Sequence, residues 1–213
     1  MIATAAHCVE SISKGRSLYV FSRNSPASLH PHSILEMEVD AVNDLALLQL
    51  GSDSVRSLRA EWWNLSTASS RECRSGSVAY LVGFPAFRNL EHRVAAKRLT
   101  EMRPFSYFTN VTRRSLPDAQ LSMGRRPDQE LDIFTEISIN RTMNDHDGGY
   151  FPAFEPAGLS GAGVFLVQGL REDALWSGHL SLAGIQCGHL RKSELLRASR
   201  IELVTQLAAS HWS

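Results

Sequence analysis

Three short segments, far apart in the chain, constrain what this sequence can fold into. Thr4-Ala5-Ala6-His7-Cys8 ends a small, apolar lead-in on a histidine. Asn43-Asp44-Leu45-Ala46-Leu47-Leu48-Gln49-Leu50 places an aspartate at the head of an apolar run. Gly158-Leu159-Ser160-Gly161-Ala162-Gly163 sets a serine among glycines. Serine is a poor nucleophile at neutral pH. It needs a base within hydrogen-bond reach, and the base needs an orienting group. Histidine and aspartate meet those needs, but only a fold that closes two long gaps can bring the three together.

Composition supplies the material for such a fold. Of 213 residues, 43% are hydrophobic and 21% charged, enough for a buried core in one domain or two small ones. Lys+Arg and Asp+Glu balance at 22 each, so no global charge steers the chain to nucleic acid or to an acidic membrane. No apolar stretch approaches the roughly 20 residues of a spanning helix. Residues 1–6 are apolar but lack a basic leader and run straight into His7, so they do not read as a secretory signal. A true start at Met1 implies a cytoplasmic protein, whereas sequence upstream of it would leave secretion open. The three cysteines, Cys8, Cys73 and Cys187, are too few for a disulfide framework and read as reduced thiols. One disulfide with a cysteine left over is an alternative, as is a partner for Cys8 in an upstream segment.

Strand-like pieces dominate. Residues 18–21 are rich in β-formers. Across 34–42, Leu35, Met37 and Val39 alternate with Glu36, Glu38 and Asp40, the period of a half-buried strand. Residues 45–50, 78–82, 133–139, 163–167 and 180–187 read as further strands, with two more between 92 and 111. Gly51 to Ser54 reads as a turn, and 51–75 as a connector whose Trp62-Trp63 pair docks on a domain face. Residues 112–130 and 140–154 read as loops. In the tail, Leu195, Leu196, Ile201, Leu203, Val204 and Leu207 form a stripe at helical spacing, with Ser193 as its N-cap.

With these segments in place, the chain resembles the trypsin-like (chymotrypsin-fold) serine peptidases, of bacterial type and truncated at the N-terminus. The histidine, aspartate and serine segments carry the resemblance. Val82-Gly83-Phe84-Pro85 and Leu182-Ala183-Gly184-Ile185 add to it. The resemblance implies an all-β fold of two six-stranded antiparallel β-barrels, the first incomplete, closed by a C-terminal α-helix. Residues 1–50 would form the partial first barrel, 51–75 the connector, and 76–213 the second barrel with the helix. His7, Asp44 and Ser160 would be the catalytic triad. The backbone N–H groups of Gly158 and Ser160 would form the oxyanion hole. Phe154 would floor the primary pocket, while Cys187, Gly188 and His189 would line the cleft and pair with substrate backbone. The implied activity is endopeptidase, without cofactor or metal, on a protein or peptide substrate. Leu159 stands where the family usually has Asp or Asn, which argues against activation by a newly cut N-terminus. About two strands that the family has before its histidine are missing. A catalytically impaired homologue that binds a peptide or partner is therefore the alternative, and an esterase with the same triad a third reading.

Competing residues are weaker. Asp40 lies within the alternating strand and lacks the following apolar run, which favours Asp44. His30 and His32 have no ligand partner at metal-site spacing. Residues 144–148 lack the full calcium-loop series. The arginine-rich stretch 113–126 reads as a solvated loop.

Overall fold

The computed structural model describes residues 1–15, 18–22, 25–29, 31–58, 64–83, 105–113, 125–137, 142–143, 150–151, 156–169 and 179–212. The chain opens with β1 (Ile2–Ala5) and passes directly into helix α1 (Ala6–Ser13). Ala6, Val9 and Ile12 recur at helical spacing and are buried, which gives α1 an inward face. Gly15, at φ 73°, ends the helix by donating its N–H to Ile12 O at 2.8 Å. The hairpin β2 (Leu18–Ser22) and β3 (Ser25–Leu29) follows, then β4 (Ile34–Asp40) and β5 (Leu45–Leu50). Strand order in the first sheet is β1-β5-β4, all antiparallel. The central strand β5 explains its continuous apolar run: Leu45 to Leu48 are buried because both sheet faces are covered.

Among the described residues the first unit falls short of a six-stranded barrel, as the resemblance implies for an incomplete first one. Among the described residues it is a three-stranded sheet with a separate two-stranded hairpin. Residues 51–54 are not a turn. Ser52 begins helix α2 (Ser52–Leu58), whose Val55 and Leu58 pack with Val9, Ile12 and Leu48. In β4 the expected apolar face is only partly used. Met37 joins that core, but Leu35 is 67% exposed and Val39 41%. The sheet register slips between Ile34 and Glu36, so Leu35 falls on the irregularity, and β4 is an edge strand among the described residues.

The second unit is a six-stranded antiparallel sheet. It comprises β6 (Val78–Gly83), β7 (Phe105–Asn110), β8 (Asp132–Glu136), β11 (Gly163–Gln168), β12 (His179–Leu190) and β13 (Leu195–Arg200). A small hairpin, β9 (Thr142–Met143) with β10 (Tyr150–Phe151), interrupts the chain order. The large sheet runs β7-β6-β11-β12-β13-β8 and curls until its edges meet. A bridge joins Val111 to Thr135, and Thr112 N–H donates to Phe134 O at 2.9 Å. Ala79, Leu81, Val164, Leu166, Ala183, Leu196 and Ala198 fill its interior.

The tail departs from its predicted period. Leu195 and Leu196 belong to strand β13, and the terminal helix α3 (Ile201–His211) starts at Ile201 with Arg200, not Ser193, at its N-cap. Helix α3 seals the seam between the units. Ile201 and Val204 pack with Leu45 and Leu47 of the first sheet and with Leu182 and Ile185 of the second. At its far end Trp212 Nε1 donates to Glu36, and His211 Nε2 lies 3.2 Å from Glu38 Oε1. Trp62, Trp63, Phe84, Pro85, His30 and residues 144–148 lie outside the described residues.

Candidate active site

His7 is the second residue of α1 and Asp44 the last residue of the turn between β4 and β5. Register pairs Ala5 with Leu45, so β1 and β5 deliver the two side by side. Ala6 N–H donates to Asp44 O at 3.1 Å, and His7 N–H donates to Asp44 Oδ1 at 3.0 Å. The ring closes the pair, with Nδ1 2.8 Å from Asp44 Oδ2. Asp44 adopts φ 52°, a left-handed conformation that a non-glycine residue rarely takes. Its side chain is 7% exposed and that of His7 25%, so the imidazole sits at the border of solvent over a buried carboxylate.

The serine loop is built from opposed demands. Leu159 is 1% exposed and packs into the core of the large sheet, pinning the loop from below. Gly83 makes room for it, since a Cβ there would come within 2.8 Å of Leu159 Cδ2. Leu159 is thus a core residue here. Gly158 and Gly161, at φ 90° and 88°, turn the chain tightly on either side of Ser160. Leu159 N–H donates to Pro156 O at 3.0 Å, Ala162 N–H to Leu159 O at 2.9 Å and Gly161 N–H to Gln186 O at 2.8 Å. Among the described residues, the N–H groups of Gly158 and Ser160 donate to no backbone carbonyl.

The two units touch at this loop. Cys8 Sγ donates to Ser160 O at 3.6 Å. Gly161 lies against Thr4 and Ala5 of β1 so closely that a Cβ would overlap Thr4 Oγ1. The histidine segment therefore abuts the serine segment at Ser160 and at the residue after it. No hydrogen bond joins the His7 ring to Ser160 among the described residues.

The Asp44 hydrogen bond raises the pKa of His7 from 6.5 to about 10. A bond to Cys8 adds to it, and burial opposes it. All three thiols are free. Burial pushes Cys187 up to about 11 and raises Cys73 as well, so both are inert thiols. Cys8 alone is partly exposed. Iodoacetamide at pH 8 is expected to label one cysteine per native chain, mapped to Cys8 by peptide mass, and all three after denaturation. Rapid labelling of Cys73 or Cys187 in the native state would contradict this packing.

The remaining expected residues divide. The Cys187 side chain is buried, with Sγ donating to Arg197 O at 3.4 Å and lying 3.6 Å from Ser199 Oγ, so only its backbone is left for a cleft. Gly188 and His189 pair with Arg197 and Leu196 of β13. Gly188 O also accepts from Gln186 Nε2 at 2.6 Å, which occupies one carbonyl expected to meet substrate. Phe154 lies outside the described residues. Sequence reasoning missed four polar residues around the Asp44 turn: Asn43, Arg125, Asp132 and Ser199. Arg125 is not a solvated loop residue. It forms a bidentate bond to Asp132, at 2.8 and 2.9 Å, and its side chain is 15% exposed.

No protein-family model matches the chain, and no curated protein does. Among solved structures it is similar to a Glu endopeptidase in complex with MPD, at 12% identity and a TM-score of 0.49, over 97% of this chain and 80% of that one. It is also similar to Rv3671c from M. tuberculosis H37Rv, an inactive form carrying a serine-to-alanine mutation. That match has 13% identity and a TM-score of 0.44, over 98% of this chain and 75% of that one.

Proposed function

We propose that this chain is a serine endopeptidase that cleaves peptide bonds through Ser160, His7 and Asp44. The observation that carries this reading is the His7–Asp44 pair. Because Nδ1 is held by the carboxylate at 2.8 Å, the neutral imidazole keeps its lone pair on Nε2, where a base for serine is needed. His7 takes the Ser160 hydroxyl proton as Oγ attacks the scissile carbonyl. The oxyanion is met by the N–H groups of Gly158 and Ser160. His7 returns the proton to the leaving amine, and water then hydrolyses the acyl-enzyme with His7 again as base. No cofactor enters this scheme.

A fluorophosphonate probe tests the reading. Wild-type chain is expected to be labelled on Ser160 and the Ser160→Ala variant not at all. Labelling that persists in the variant would refute it. Peptide and ester substrates separate the endopeptidase from an esterase. A second reading, a catalytically impaired homologue that binds a peptide or partner, is favoured by the raised pKa of His7. A ring whose proton is held this tightly by Asp44 is a poor acceptor for the serine proton at neutral pH. Labelling that fails to rise between pH 7 and pH 10 on folded protein would favour this second reading.

A further inference from the structure

The turn that carries Asp44 is fastened from the opposite unit. Within the turn, Asp40 Oδ1 accepts the N–H groups of Val42 and Asn43, each at 3.0 Å, and Asn43 Nδ2 donates to Asp40 Oδ2. From outside, Arg125 N–H donates to Val42 O at 3.1 Å and Arg125 Nε to Asn43 Oδ1 at 2.7 Å. Ser199 Oγ of β13 donates to Asn43 O at 2.7 Å. Arg125 is itself fixed by its fork on Asp132, whose side chain is fully buried at the start of β8. Arg197 Nε lies 3.1 Å from the same carboxylate, and Asp128 N–H donates to it at 2.8 Å.

We infer that Arg125 is a positioning residue. It clamps the Asn43–Asp44 turn of the first sheet to Asp132 of the large sheet, and so holds the Asp44 carboxylate against His7. Three features carry the inference. The clamp grips the residues immediately before Asp44, at two points of the turn. Asp44 occupies a left-handed conformation that relaxes unless its neighbours hold it. Among the described residues the first sheet is three strands wide, and the turn lies at its end, beyond the last paired residues Asp40 and Leu45. The planar guanidinium suits the task because its Nε serves Asn43 while its two terminal nitrogens serve Asp132, which a lysine cannot do.

The inference rests on the triad reading, and the experiment separates the two. Arg125→Met, Arg125→Lys and Asn43→Ala are compared with wild type by kcat and KM, and by NMR titration of the His7 imidazole, which needs no turnover. Asp44 and Cys8 are the groups that act on that ring among the described residues. All three variants are expected to lose about 10- to 100-fold in kcat with KM unchanged. Their His7 midpoint should move down toward 6.5 as the Asp44 bond loosens, and lysine should not rescue it. Asn43→Ala leaves the Arg125–Asp132 pair intact, so it decides the matter if Arg125→Met fails to fold. A folded Asn43→Ala chain with wild-type kcat and His7 midpoint would overturn the inference. If the wild type turns over no substrate, the triad reading fails, and the His7 midpoint alone tests the clamp.

Discussion

Asp44→Asn is expected to lower kcat by about 10⁴-fold at pH values above the raised pKa of His7, where the wild-type ring gives up its proton. The amide cannot accept from Nδ1 on one side and the His7 backbone N–H on the other without exposing its own NH₂ to one of them. The imidazole then loses the tautomer that leaves Nε2 free. The variant also removes the largest cause of the raised His7 pKa. The ring should therefore become neutral at a lower pH, and the acid limb of the rate profile should move down from about 10 toward 6.5. The two changes oppose each other as pH falls, so the gap between wild type and variant should narrow toward neutrality. A constant ratio from pH 7 to pH 10.5 would show that Asp44 does not set the protonation of His7. The same linkage acts on stability. A folded-state pKa above the unfolded value stabilises the fold below pH 6.5, and this contribution disappears as pH rises through about 10. Denaturant midpoints of the wild type should fall across that window, and those of Asp44→Asn should fall less.

What the sequence made legible, and what it concealed, follows the range of the interactions involved. His7, Asp44 and Ser160 stand out because each sits in a short segment of restricted composition. Strand β5 stands out because burial on both faces leaves an unbroken apolar run. Helix α1 was hidden, since eight residues with Glu10, Ser11 and Ser13 present too little apolar period to separate from the strand before them. Strand β13 reads as helix in the sequence for a related reason. Residues 195–199 are all buried, including Arg197 and Ser199, so the strand shows no alternation and its leucines merge with the stripe of α3. The clamp around Arg125 had no local signature. An arginine in a polar stretch looks solvated until the fold brings Asp132 and Asn43 to it, and a buried ion pair is a tertiary fact.

The close approach at Gly161 should produce the largest structural effect. Gly161→Ala places a Cβ on a residue at φ 88°, which costs about 1–2 kcal/mol for an L-residue in the left-handed region. The same Cβ would overlap Thr4 Oγ1 and lie 3.4 Å from Thr4 Cβ and 3.8 Å from Ala5 N. Thr4 is buried on β1, so relief requires either a shift of β1, which leads into His7, or a shift of the loop that holds Ser160. Overpacking of this kind adds about 1–3 kcal/mol. A total loss near 2–5 kcal/mol is expected in chemical denaturation, with fluorophosphonate labelling slowed at least 100-fold in chain that remains folded. Thr4→Ala in the same chain removes the overlap but not the backbone strain. It should therefore restore only part of the stability, and a double-mutant cycle reads the two contributions separately. Full recovery in the double variant would assign the whole effect to the Thr4 contact. No recovery would mean that the left-handed backbone at Gly161, rather than the junction between the two units, limits the site.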